Sequence, residues 1–152
     1  MKKFNIRVYG LLINNKNEIL VSDEERFGVQ FTKFPGGGLE WGEGTIDGLK
    51  REFLEELNIN IEVNDLFYLT DFFQASAFHE NDQIISIYYF VSTNEISKIN
   101  SNINLKFSLH KEEHRWININ SIRQDDLTFP IDKVVIMKLM NFLSKQATFI
   151  EN

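Results

Sequence analysis

The chain has 152 residues, enough for one domain covering residues 1–152, and is 43% hydrophobic and 25% charged, as soluble globular proteins are. Lys+Arg 16 against Asp+Glu 22 leaves a net charge of -6 with no basic cluster longer than a pair, which argues against a polymeric nucleic-acid partner. The absence of cysteine excludes disulfides, thiolate metal sites and a cysteine nucleophile; no apolar run approaches a membrane span or a signal-peptide core, so a cytoplasmic protein is expected.

In chain order, the alternation over Phe4–Ile13 predicts a strand, with Phe4, Ile6, Val8 and Gly10 on one face. Asn14–Asn17 reads as a turn, and Glu18–Val21 as the returning arm of a hairpin. A short strand at Phe31–Phe34 runs into Pro35-Gly36-Gly37-Gly38. From Thr45 to Leu57 the period becomes helical, with Thr45 as N-cap, Asp47 in the first turn and Asn58 at a left-handed C-cap. Further strands are expected at Ile59–Val63, Leu66–Phe73, Gln83–Ser92 and Arg115–Ile119. His79–Asp82 reads as a polar turn and Asn94–Asn104 as a loop. Pro130 opens a last helix whose stripe is Ile131, Val134, Val135, Lys138, Leu139 and Phe142. Together these elements predict an α+β fold, a mixed β-sheet between two helices in an α/β/α sandwich.

The stretch from Gly37 to Ile59 carries the chemistry. On a helix, Glu52, Glu55 and Glu56 fall at i, i+3 and i+4 and share one face. The apolar stripe of Ile46, Leu49, Phe53 and Leu57 is centred on the order of 110° away, so it can pack on a sheet while the carboxylates face a cleft. Like charges at that spacing repel by roughly 0.2–0.5 kcal/mol per pair, a cost that only bound cations reverse. All-oxygen donors suit Mg²⁺ or Mn²⁺, and such ions bridge phosphates to an acidic protein. Any single Glu is more simply a solvated surface residue, but the whole set at fixed offsets arises by chance in roughly one window in ten million.

The pattern Gly37, Glu43, Arg51, Glu52, Glu55, Glu56 and Ile59, led in by Phe34-Pro35-Gly36 and enclosing Glu40, resembles the Nudix box. Phe53 stands where the box has an aliphatic residue, and Asn58 where it has a second glycine; neither replaces a charged position. The resemblance implies a Nudix-type sandwich and Mg²⁺- or Mn²⁺-dependent hydrolysis of a soluble nucleotide at its diphosphate by water attack at phosphorus. The substrate is then a nucleoside diphosphate sugar, another diphosphate ester or a nucleoside triphosphate. It further implies metal ligation by Glu55 and Glu56, supplemented by Glu40 and the Gly37 carbonyl. Glu52 becomes a ligand or the general base, Arg51 the residue that positions the carboxylates, and Glu43 a tie between loop and helix. Catalytic roles thus fall on Glu52, Glu55 and Arg51. Relatives of this kind often form homodimers, and a homodimer is compatible with the chain.

Some relatives place the base on a loop beyond the box, for which Glu112 and Glu113, and more remotely Glu80, are the candidates. Phe27, Phe31, Trp41, Phe72, Phe73 and Phe78 are candidates to stack on a base. His79, His110 and His114 fall in polar stretches and are expected at the surface without a role. The alternative to an enzyme is a regulatory module of the same fold that binds a nucleotide without cleaving it. Such modules usually lose box carboxylates, and every one is present here.

Overall fold

The computed structural model describes residues 1–100 and 112–150. Its strands are β1 (Lys3–Leu12), β2 (Glu18–Arg26), β3 (Val29–Lys33), β4 (Gly36–Gly38), β5 (Glu62–Leu69), β6 (Asp82–Ser92) and β7 (Glu112–Asn118). Its helices are α1 (Thr45–Leu57) and α2 (Pro130–Ile150). The α+β class and the mixed sheet hold, but the strands divide into two sheets, ordered β4-β1-β6-β5 and β3-β2-β7.

The division follows from edge occupancy. A strand has two hydrogen-bonding edges, and both edges of β1 are filled: β6 runs parallel to it from Lys3↔Asp82 to Leu12↔Val91, and β4 pairs with it through Val8↔Gly37. The turn at Asn14–Asn17, with Asn17 at φ 61, therefore returns the chain for a single bridge, Ile13↔Ile19. Beyond that bridge β2 leaves to pair with β3 and β7. The hairpin expected after Asn17 is a crossover between sheets.

Alternation along β1 splits the interior into two layers. Val8 and Leu12 pack with Leu49, Phe53 and Leu57 of α1, whereas Tyr9 and Leu11 pack with Ile131, Val135 and Leu139 of α2. Leu49, Phe53, Val135 and Leu139 are wholly buried, each worth about 1.5–3 kcal/mol against exposure, and they clamp a helix to each face. Phe4 and Ile6 lie beyond the helix cover and stay exposed.

Three local expectations change. Gly44, not Thr45, is the N-cap of α1, and the Thr45 hydroxyl bonds instead with Tyr89 Oη at 2.7 Å. Ile46, in the first turn, projects past the sheet and is exposed. The two strands expected across Ile59–Phe73 are one, β5, interrupted by register shifts between Val63 and Tyr68, while Ile59 and Ile61 are core residues ahead of it. Asn58 closes α1 in the left-handed conformation (φ 53, ψ 40), its N–H donating to the Leu54 carbonyl at 3.0 Å. In the Asn94–Asn104 stretch, Ile96–Lys98 forms one 3-10 turn, and residues 101–104 lie outside the described residues. Among the described residues, no helix is long and apolar enough to cross a membrane.

Candidate active site

β4 brings the glycine-rich segment against β1, and the loop after it turns back over the first turns of α1. Arg51 gathers that loop onto the helix. Its Nε and Nη2 donate to the two oxygens of Glu43 at 3.0 and 2.6 Å, and Nη2 also donates to the Gly38 carbonyl at 3.0 Å. Nη1 reaches Glu52 Oε1 at 3.0 Å and Glu55 Oε2 at 3.3 Å, with Glu40 Oε1 at 3.8 Å. Glu43 Oε1 accepts the Glu40 backbone N–H at 2.7 Å as well. The Arg51 guanidinium and that N–H hold the Glu43 carboxyl down at about 2.

Glu52 turns from Arg51 toward β4. A Cβ built on Gly37 would lie 2.5 Å from the Glu52 carboxylate carbon, so the glycine lets this carboxylate rest on the backbone of β4. Glu55 stands at the rim with 58% of its side chain exposed. Glu56 points inward, and its Oε2 is buried without a hydrogen-bond partner among the described residues.

Opposite Glu56 stand Glu112 and His114 of β7, two apart and thus on one face of the strand. One ligand atom from each of Glu56, Glu112 and His114 lies within 4.8 Å of the others. Burial, joined by the Glu112, Glu24 and Glu52 charges, raises the Glu56 carboxyl to about 8 against the pull of Lys33. Burial and Glu24 likewise raise Glu112. Carboxylates that crowd together around a buried, unpartnered oxygen are the donor set a divalent cation would satisfy. These residues fit such an ion.

A cation lies beside the cluster. The Lys33 ammonium is buried, 2.6 Å from Glu24 Oε1, and donates to the Gly36 carbonyl at 2.9 Å; its pKa is raised, since these partners outweigh the burial that opposes its charge. Lys33, Glu24 and Arg7 also line a cavity of about 770 Å³, its open mouth included, between the two sheets and the start of α2. Its apolar wall is Phe31, Phe78 and Phe129, with ring centroids 5.2–6.1 Å apart. Its floor holds Asp132, buried and accepting the Tyr88 hydroxyl at 2.6 Å. Burial raises this carboxyl to about 7.

Of the residues singled out in the sequence, Gly37, Glu40, Arg51, Glu52, Glu55 and Glu56 are thus brought to one end of α1, and Glu112 joins them from β7. Glu113 does not: it alternates to the other face, in register with Asp23, and is buried there. Glu80 sits in an exposed turn ahead of β6. Phe31 and Phe78 line the cavity, Phe27 lies 6.4 Å from Phe78, and Trp41 and Phe73 are largely exposed. His79 is exposed at the cavity edge, and His110 lies outside the described residues.

His114 corrects the surface expectation, being 6% exposed, with burial and Lys33 lowering its pKa to about 4. The sequence signal that could have found it is the alternation Glu112-His114-Trp116, visible once β7 begins at Glu112 and not at Arg115. The sequence reading does not single out Lys33, Arg7 and Asp132; Lys33 and Arg7 are lone charges in largely apolar stretches, and Asp132 is paired with Lys133 at the start of a helix.

The NUDIX domain family model matches residues 3–139. No curated protein matches the chain. Among solved structures, the ORF135 protein of E. coli is 18% identical with a TM-score of 0.70, the match covering 95% of this chain and 94% of that one. The MutT protein of Methanosarcina mazei Go1 is 21% identical with a TM-score of 0.66, covering 95% and 97%. The MutT DNA mismatch repair protein (family Nudix hydrolase) of methicillin-resistant Staphylococcus aureus 252 is 25% identical with a TM-score of 0.61, covering 93% and 98%.

Proposed function

The chain belongs to the NUDIX family and is a hydrolase of phosphorus-containing anhydrides, and from that premise we propose that it is a Mg²⁺- or Mn²⁺-dependent pyrophosphohydrolase of a soluble nucleotide. The observation that carries the metal dependence is the buried, unpartnered Oε2 of Glu56, packed among further carboxylates. Glu55, Glu56, Glu52, Glu40 and the Gly37 carbonyl would hold the cation. Bound there, it neutralises diphosphate charge and lowers the pKa of the attacking water.

The chain's own residues divide the remaining work. Phe31, Phe78 and Phe129 offer a nucleobase apolar faces to stack on, and Asp132 offers it a hydrogen-bonding edge. Arg7 and Lys33 make the inner end of this cavity positive, which draws the phosphate chain toward the carboxylates. Glu52, held by Arg51 against Gly37, takes the proton of the attacking water. Arg51 fixes the relative positions of Glu43, Glu52 and Glu55, so it acts by positioning.

The test is hydrolysis of a mixed panel of nucleoside triphosphates and diphosphate esters with Mg²⁺ or Mn²⁺, with products separated by chromatography and Glu56→Gln run in parallel. Cleavage at a diphosphate by the wild type alone supports the reading and identifies which substrate type is preferred. Metal-dependent nucleotide binding without turnover in either protein would replace it with a binding module.

A further inference from the structure

We propose that His114 is a metal ligand through Nε2, making with Glu56 and Glu112 a mixed nitrogen–oxygen site that takes a first-row transition-metal dication such as Mn²⁺ in preference to Mg²⁺. The inference rests on the hydrolase reading for the presence of a cation beside the box, and it adds a ligand from outside the box.

Three observations carry it. The His114 side chain is only 7% exposed, and among the described residues its Nε2 has no hydrogen-bond partner. A buried imidazole nitrogen left without a partner costs on the order of 1–3 kcal/mol, so a structural histidine in the core normally finds one. The residues around it do not supply that partner: Ser22, in register with it on β2, donates its hydroxyl to Glu24 at 3.1 Å. Lys33 is engaged by Glu24 and by backbone carbonyls. Glu112 Oε1 stands 3.8 Å from Nε2, too far for a hydrogen bond and suited to two ligands of one ion.

The second observation is that a carboxylate oxygen on a different element shares the condition. Glu56 Oε2, from α1, is buried and unpartnered in the same cluster. The two residues that carry these orphaned atoms, one on α1 and one on β7, thus belong with Glu112 to one cluster of ligand atoms within 4.8 Å. Third, the spacing matches an ion. Ligands about 2.1 Å from a common centre are at most about 4.2 Å apart, and the observed limit of 4.8 Å closes to that by side-chain shifts of a few tenths of an ångström.

The nitrogen decides the choice of metal. Mg²⁺ favours oxygen donors and holds its waters tightly, whereas imidazole binds the later divalent ions more strongly. One imidazole among carboxylates therefore tilts the site toward the transition series without barring Mg²⁺ from the oxygen-only positions around Glu52 and Glu55.

The test uses Mn²⁺ as the probe and reads the ligand directly. Pulsed electron paramagnetic resonance of the Mn²⁺-loaded wild type should show modulation from a coordinated ¹⁴N that changes to the ¹⁵N pattern when histidine is ¹⁵N-labelled. The modulation should vanish in His114→Leu and persist in His110→Gln. Calorimetry should show Mn²⁺ affinity falling about 10- to 100-fold in His114→Leu while Mg²⁺ affinity changes less than about threefold. If His114→Leu does not fold, the labelled wild type with His79→Gln and His110→Gln still decide, since these are the other two histidines of the chain. No nitrogen coupling, coupling that follows His79 or His110, no Mn²⁺ binding, or equal losses for both metals would overturn the proposal. Nitrogen coupling in a protein that cleaves no nucleotide would sink the hydrolase reading alone, and turnover without nitrogen coupling would sink this one alone.

Discussion

Arg51 meets three carboxylates and a carbonyl within 3.3 Å, and the planarity of its guanidinium allows this. A lysine carries the charge without the fork, so Arg51→Lys would leave either Glu43 or Glu52 unheld. Turnover should fall about 10- to 100-fold, and in a carboxylate NMR titration the Glu43 carboxyl should rise from about 2 toward its ordinary range. An unchanged Glu43 titration would show that the lysine still holds Glu43 or that the Glu40 N–H suffices for its depression. Gly37→Ala tests the adjoining contact. The new methyl meets the flexible end of Glu52 at 2.5 Å, and that side chain can move aside. Stability should change by less than about 1 kcal/mol in chemical denaturation, while displacement of the carboxylate lowers turnover by about 100-fold. A variant with wild-type turnover would remove Glu52 from the general-base role.

At the scale of elements, α1 is the part most legible in the sequence because its requirements are local. The i, i+3, i+4 spacing of its glutamates and the Asn at its end depend on neighbours within two turns. Asn58 sits at φ 53, a region in which a β-carbon costs about 1–2 kcal/mol and in which Asn is better tolerated than most residues. Asn58→Ala should therefore destabilise the protein by about 1 kcal/mol in urea unfolding, and Asn58→Gly should stay within about 0.5 kcal/mol of wild type. Equal losses in both would mean that the Asn side chain, not the backbone conformation, holds this end. Sheet membership was not legible for a related reason. β2 looks like the partner of β1 because the turn between them is short, yet its ladders are with β3 and with β7, which lies some ninety residues downstream. Nothing local signals that both edges of β1 are already filled. The same long-range pairing sets the start of β7 and with it the inward orientation of His114, which a reading of polar residues places at the surface.

Across the whole molecule, the pattern of polar residues inside is what sequence periodicity cannot supply, because a lone charge in an apolar run reads as its exposed face. Asp132 reads as exposed for a similar reason: it stands beside Lys133 in the first turn of α2, where an acid suits the helix dipole, yet it is 2% exposed. Its burial has a consequence for global stability. The carboxyl titrates near 7 in the fold and near 3.8 unfolded, so the fold favours its protonated form. Below the unfolded value both states hold the proton and Asp132 makes no difference to the pH dependence. Between the two values folding takes up a proton, so stability declines as pH rises, and above about 7 the loss is complete, amounting to about 4 kcal/mol. Glu56 adds a loss of the same sign up to about 8, while Glu43, held down by Arg51, acts oppositely by losing stabilisation as pH falls. The difference between wild type and Asp132→Asn isolates the one contribution, since the amide oxygen can still accept the Tyr88 hydroxyl and carries no charge at any pH. Unfolding free energies measured from pH 4 to 9 should show the variant gaining on wild type through pH 4 to 7 and holding a constant advantage above that. Parallel curves would mean that Asp132 stays ionised in the fold, with Lys33 and Arg7 compensating its burial.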